Sequence, residues 1–400
     1  MLTLQQFEQA KKRLAGISIE TPLQHSMPFS KETENQSYIK LENLQTTGSF
    51  KIRGAYNKIS KLTPEEKKSG LIASSAGNHA QGVAYAAQKL GVKATIVMPK
   101  TAPLIKVEAT RGYGAKVILC GDGYDDAFAE AKRLMDQENL VFIHPFNDLD
   151  VIEGQGTIAL EVLEKLPDAH CIVAPIGGGG LISGIALAAK AIKPDITIIG
   201  VEPDGAQAMK ISVENKRLTQ LDDVDTIADG VAVKNPGEIT YPIIRDYVDE
   251  IVTVTDFDIM DAFLLLLDKH KVVGENAGVL SLAALKKINR PNQKIVSIVS
   301  GGNIDVLTMS AMINRGLFSR GRIFCFSVEL PDRPGQLQKI AEILARMNAN
   351  VIKLDHNQFK AFDRFMDVEL EVTVETNGHR HVKRIVEELK KEGFSVTSAC

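Results

Sequence analysis

Cys171-Ile172-Val173-Ala174-Pro175-Ile176-Gly177-Gly178-Gly179-Gly180-Leu181 runs from an unbroken apolar segment, through four glycines, into an alanine-rich stretch that continues to Ile192. The apolar run has the length and β-rich composition of a strand buried on both faces, and the stretch after it has helical periodicity. A strand that turns straight into a helix is the building unit of a parallel sheet. Four successive glycines carry a high entropic cost, because each loses more backbone freedom on folding than any other residue. Such a turn needs what glycine alone provides: unusual backbone angles and no side chain to hold an anion away. Its N–H groups, with the helix N-terminus behind them, make a phosphate cradle. A dinucleotide loop is the competing reading. The GxGxxG spacing is absent, and Gly200-Val201-Glu202 supplies no convincing ribose-binding context.

The same alternation extends to both sides. Leu71 to Ser74, Ala94 to Met98, Lys116 to Leu119, Thr197 to Val201 and Ile295 to Ser300 read as further buried strands. His79 to Leu90 and Ala127 to Met135 read as helices between them. The pattern predicts parallel sheets covered by helices, with ligands at the carboxyl ends of the strands. It breaks at the basic, glycine-containing stretch Asn314 to Arg322. Beyond it the order is strand (Ile323 to Leu330), helix (Gly335 to Met347), strand (Asn350 to His356), strand (Arg364 to Thr373), helix (His381 to Lys391) and strand (Phe394 to Thr397), a βαββαβ ferredoxin-like unit. The domain expectation is 1–316, with a smaller subdomain at about 45–150, a link at 317–322, and a C-terminal domain at 323–400.

With 400 residues the chain has room for two or three domains. Its composition, 44% hydrophobic and 24% charged, is that of an ordinary globular protein. A net charge of −3 argues against nucleic acid or an anionic membrane as the main partner. The Met1 to Phe7 segment lacks the basic and apolar blocks of a signal peptide, and no apolar run has membrane-spanning length. Cys120, Cys171, Cys325 and Cys400 lie far apart with no CxxC pair, so buried thiols in a reducing, cytoplasmic setting are expected.

Three other stretches carry chemistry. Gly48-Ser49-Phe50-Lys51-Ile52-Arg53-Gly54-Ala55 sets a lysine among apolar residues with Arg53 close in sequence. Both features disfavour the ammonium form and free the amine to react with a carbonyl; a surface lysine before a helix is the plain alternative. Ser74-Ser75-Ala76-Gly77-Asn78-His79 ends a strand and begins a helix. Its hydroxyls, amide and N–H groups suit a carboxylate, and Asn78 suits a phenolic oxygen; helix capping by Ser74 or Ser75 is the alternative. His79 lies one residue inside that helix and reads as structural or supporting. Val299-Ser300-Gly301-Gly302-Asn303 closes a third strand, where a serine hydroxyl can face a ring nitrogen.

In their order along an alternating chain, these motifs identify a member of the fold type II (tryptophan synthase β-like) family of pyridoxal-phosphate enzymes. Within it the chain resembles the threonine dehydratases, and the likeness extends to Ala228-Asp229-Gly230-Val231-Ala232-Val233 and Gly274-Glu275-Asn276-Ala277-Gly278. The resemblance implies pyridoxal 5'-phosphate joined to Lys51, with Phe50 beside it. Asn78 would contact its O3′, Gly177, Gly178, Gly179, Gly180 and Leu181 would hold its phosphate, and Ser300 would meet its pyridine nitrogen. Ser74, Ser75, Ala76, Gly77, Asn78 and His79 would bind the substrate. The implied reaction is β-elimination of water from L-threonine, giving 2-oxobutanoate and ammonia, with L-serine secondary. A serine-preferring dehydratase and a catalytically silent amino-acid sensor are the alternatives.

Serine racemases share these motifs but, by resemblance, carry a serine where this chain has Ala76, so racemisation is not expected. Their metal site is matched by Glu202 and the carbonyl of Ala206, whereas Ala208 replaces a second acidic ligand, and no metal is expected. Leu330-Pro331-Asp332-Arg333-Pro334-Gly335-Gln336-Leu337 resembles the first turn of an ACT domain. That implies an amino-acid effector, isoleucine among the candidates, or else a plain oligomerisation role. A homodimer or homotetramer is the expected assembly.

Overall fold

The computed structural model describes residues 1–288, 290–331, 333–357 and 367–398. The chain forms two compact units, Met1–Val306 and Leu307–Cys400.

The first unit contains two sheets. Leu23–His25 (β1), Gln36–Leu41 (β2), Lys294–Val299 (β10), Cys171–Pro175 (β7), Thr197–Pro203 (β8) and Glu250–Val254 (β9) form the larger one in that spatial order. All of its pairings are parallel except β1 with β2. The smaller sheet, in the order Lys116–Leu119 (β5), Ala94–Met98 (β4), Leu71–Ser74 (β3), Val141–Phe142 (β6), is wholly parallel and lies between β2 and β7 in sequence. β7 and β3 are buried along their whole length, as apolar strands covered on both faces must be.

The antiparallel pairing of β1 with β2 departs from the wholly parallel sheets expected, and β1, β2 and β9 were not read as strands from the sequence. β2 is hard to read because Lys40 interrupts its apolar run, yet Lys40 is fully buried. Its ammonium bonds the Thr21 carbonyl (2.8 Å) and the Glu161 carboxylate.

In the second unit, Ile323–Pro331 (β11), Asn350–Asn357 (β12), Asp367–Glu375 (β13) and Val396–Ser398 (β14) pair antiparallel in the order β12-β13-β11-β14. Helices Gln336–Arg346 and His379–Lys391 complete the βαββαβ sandwich, with Ile340, Ile343, Leu344, Ile385 and Leu389 turned into its core. Residues 364–366 of the expected third strand, Asp332 of the first turn and Cys400 lie outside the described residues. The expected link at 317–322 spans the end of the Val306–Ser319 helix and the turn into β11.

Among the described residues no helix is long and apolar enough to cross a membrane. Cys120, Cys171 and Cys325 are unbridged, and burial pushes the Cys171 thiol up to about 12.

Candidate active site

Lys51 opens the helix Lys51–Ser60 and is brought to its neighbours by a close backbone match. The Gly48–Phe50 segment runs alongside the end of β10: Ser49 bridges Gly301, Phe50 N–H donates to the Ser300 carbonyl (3.1 Å), and Gly302 N–H donates to the Gly48 carbonyl (2.9 Å). Ser300 therefore sits beside the lysine although it is remote in sequence. From the other side the Asn78–Leu90 helix presses on the Lys51 backbone at Gly82, where an added Cβ would lie 3.2 Å from the Lys51 carbonyl carbon.

The Lys51 amine donates to the Pro145 carbonyl (2.9 Å) and lies 5.2 Å from the centre of the Phe50 ring. Burial lowers its pKa to about 8, and the Glu275 carboxylate opposes that fall. The expected role of Arg53 as a neighbouring cation is not what the structure holds. Arg53 is fully buried on another face of its helix, clamped by Glu42 (2.8 and 2.9 Å) and Glu161 (2.6 and 2.9 Å). Its charge is spent on two carboxylates, so desolvation and not repulsion frees the lysine.

Phe146, the residue after Pro145, ties the lysine to the tetraglycine turn. A Cβ on Gly178 would lie 2.3 Å from the Phe146 ring, and one on Gly180 would lie 2.9 Å from its Cβ. Gly179 has φ +92°, a left-handed conformation suited to glycine. Thr240 Oγ donates to the Gly178 carbonyl (2.6 Å). The backbone N–H groups from Gly177 to Leu181 meet no acceptor among the described residues. They lie at the start of the helix Gly180–Ile192, a run of donors without acceptors that suits a phosphate. A primary amine freed by burial, beside such a cradle, fits a phosphorylated carbonyl cofactor.

At the Ser74–His79 turn, Ser75 Oγ accepts from the N–H of Gly77 (3.1 Å) and of His79 (2.9 Å), so Ser75 caps the helix start. Ser74 Oγ is buried with no partner. The His79 ring is buried with Nε2 against the Ile143 carbonyl (3.1 Å), and burial with the Lys51 charge lowers its pKa to about 3. It stays neutral and structural. Ala76 is half-buried, packed against the core of the smaller sheet.

The sequence reading assigned no role to Pro145, Phe146, Glu275 or Asn303. The first two follow β6, a two-residue strand with almost no sequence signal. Glu275 stands in a glycine-flanked motif that carries no local sign of its contacts. Glu202, considered as a cation ligand, accepts instead from the Met209 (3.0 Å) and Lys210 (2.8 Å) N–H groups, and burial pushes it up to about 8. Among the described residues no three His, Cys, Asp or Glu side chains cluster as a metal site.

A family model described as pyridoxal-phosphate dependent enzyme matches residues 16–301, and an ACT domain model matches residues 326–394. The chain is 45% identical over 397 residues to the L-threonine ammonia-lyase of Thermotoga maritima, covering 99% of both chains. Among solved structures it is similar to the processed threonine deaminase isoform 2 of Solanum lycopersicum (TM-score 0.74, 40% identity, 78% of this chain and 88% of that one). It is also similar to maize serine racemase (TM-score 0.75, 37% identity, 79% and 98%).

Proposed function

We infer the activity from one premise: the chain belongs to the pyridoxal-phosphate-dependent enzymes and carries a C-terminal ACT domain. It is a threonine ammonia-lyase, converting L-threonine to 2-oxobutanoate and ammonia. The observation that carries this is the full-length match to a relative of that name, spanning both domains. L-serine is the secondary substrate we propose, since a pocket that accepts a methyl group rejects its absence by only about 1–3 kcal/mol.

Pyridoxal phosphate, when bound, supplies a carbonyl carbon for amines and a conjugated ring that takes up the electron pair left at Cα. Lys51 would hold it covalently, with Phe50 against it. The Gly177 to Leu181 amides would bind its phosphate, Asn78 its phenolic oxygen, and the Ser300 hydroxyl its ring nitrogen. Ser74, Ser75, Gly77 and the backbone of His79 line the turn we assign to the substrate carboxylate.

The freed Lys51 Nζ then takes the Cα proton, a task suited to an amine with a pKa near 8. The β-hydroxyl departs as water, and the proton it gains as the Cβ–O bond breaks balances the one Lys51 took from Cα. The released enamine tautomerises and hydrolyses to the 2-oxo acid and ammonia. Ala76 offers no hydroxyl for proton return from the opposite face, which favours elimination over racemisation.

The purified enzyme should be yellow and form 2-oxobutanoate from L-threonine with a higher kcat/KM than 2-oxopropanoate from L-serine. Lys51→Ala should lower turnover at least about a thousandfold and leave no cofactor attached after borohydride. A wild-type protein that stays colourless when given pyridoxal phosphate would sink the reading.

The regulatory proposal is an amino-acid effector at the C-terminal domain. A cavity of about 300 Å³ there is lined by Leu330, Arg333, Gly335, Gln336 and His356, at the turn singled out in the sequence. A homodimer or homotetramer in the cytoplasm is the setting we propose, the second point supported by three unbridged cysteines.

A further inference from the structure

Glu275 is 8% exposed, and no cation pairs with it among the described residues. Its Oε1 accepts the Asn78 Nδ2–H. On the other side, Asn78 Oδ1 accepts from Asn303 Nδ2 (2.8 Å), which also donates to the Thr47 carbonyl (2.8 Å). Both Asn303 amide hydrogens are thereby used, so its nitrogen meets Asn78 only as a donor. A half-turn of the Asn78 carboxamide would set its oxygen against the Glu275 oxygen and its NH2 against the NH2 of Asn303, losing both bonds. Glu275 is anchored beside Gly301. Its N–H donates to the Gly301 carbonyl (2.9 Å), and a Cβ on Gly301 would lie 2.1 Å from Oε1.

We propose that Glu275, with Asn303, is a positioning residue that locks the Asn78 carboxamide so that its second N–H is the group offered to the phenolic oxygen of the bound cofactor. This rests on the cofactor reading above. Burial and the Asp229 carboxylate push Glu275 up to about 7, while the Asn78 hydrogen bond, Lys106 and Lys51 act the other way. In either protonation state Oε1 remains an acceptor, so the lock holds on both sides of neutrality.

The test uses the full-length enzyme titrated with pyridoxal phosphate, reading the cofactor Kd and the absorption of the bound form. Glu275→Leu should raise Kd about tenfold, as expected for losing a hydrogen bond to a charged group. It should also shift absorption from the yellow band toward the near-ultraviolet band of a protonated phenolic oxygen. Glu275→Gln keeps an acceptor and should stay within about twofold of wild type with an unchanged spectrum. Wild-type Kd and spectrum in Glu275→Leu, or the same loss in Glu275→Gln, would overturn the proposal. If Glu275→Leu fails to fold, Asn303→Leu removes the other half of the lock and must give the same shift. A wild type that binds no cofactor overturns both this inference and the reading it rests on.

Discussion

Burial brings the Lys51 ammonium from its ordinary 10.5 to about 8, and the same environment holds His79 near 3 and His144 near 4. The lysine charge lowers both imidazoles further, so two neutral rings stand near the Lys51 amine. His79 has a consequence for stability. As pH falls from 6.5 toward 3, the unfolded chain takes up a proton that the folded chain refuses, so stability falls; above 6.5 both forms are neutral and the effect vanishes. The loss from this residue reaches about 2 kcal/mol by pH 5. Thermal melting of His79→Gln should therefore drop less steeply than wild type between pH 7 and 5, and parallel curves would refute the assignment. Lys51 itself was legible from its apolar neighbours. Arg53 was misread because adjacency in sequence says nothing of direction: two positions along a helix the side chain points elsewhere, into Glu42 and Glu161.

The strand-end turns are the elements that carry the site. β3, β7 and β10 were legible because strands buried on both faces are largely apolar runs, and each leads into a glycine- or serine-containing turn. β2 and β6 were not, the first because a buried ion pair hides Lys40 in an apolar strand, the second because two residues show no period. Phe146 was invisible for the same reason, yet its ring closes over the tetraglycine turn. Gly178→Ala tests that contact. The new Cβ would lie 2.3 Å from the ring, so either the ring or the turn must shift. Overpacking of this kind costs about 1–3 kcal/mol. A cofactor Kd raised about tenfold is expected by direct titration, since 1.4 kcal/mol is tenfold in binding. An unchanged Kd would show that the turn does not hold the phosphate.

At the scale of the molecule, the Lys51 site and the ACT domain lie in separate units, each with its own core. A chain ended at residue 320 should keep threonine turnover within about threefold, because the Lys51, Asn78, tetraglycine and Ser300 segments all precede Val306. It should lose any response to isoleucine, valine or threonine as effector. Rate and binding assays on both chains decide the matter, and a truncated enzyme still controlled by the same amino acid would place the effector elsewhere. What the sequence alone determined is whatever is written locally: the βα alternation, the ferredoxin-like order, the lysine among apolar neighbours, the tetraglycine turn and the serine at the end of β10. These depend on periodicity and on residue types whose backbone needs are their own. Tertiary structure alone decided which groups meet the lysine and the asparagine: Pro145 at the amine, Phe146 over the glycines, Glu275 and Asn303 on the Asn78 amide. Those contacts join segments far apart in the chain, and their geometry is set by the packing of two sheets, which no local pattern records.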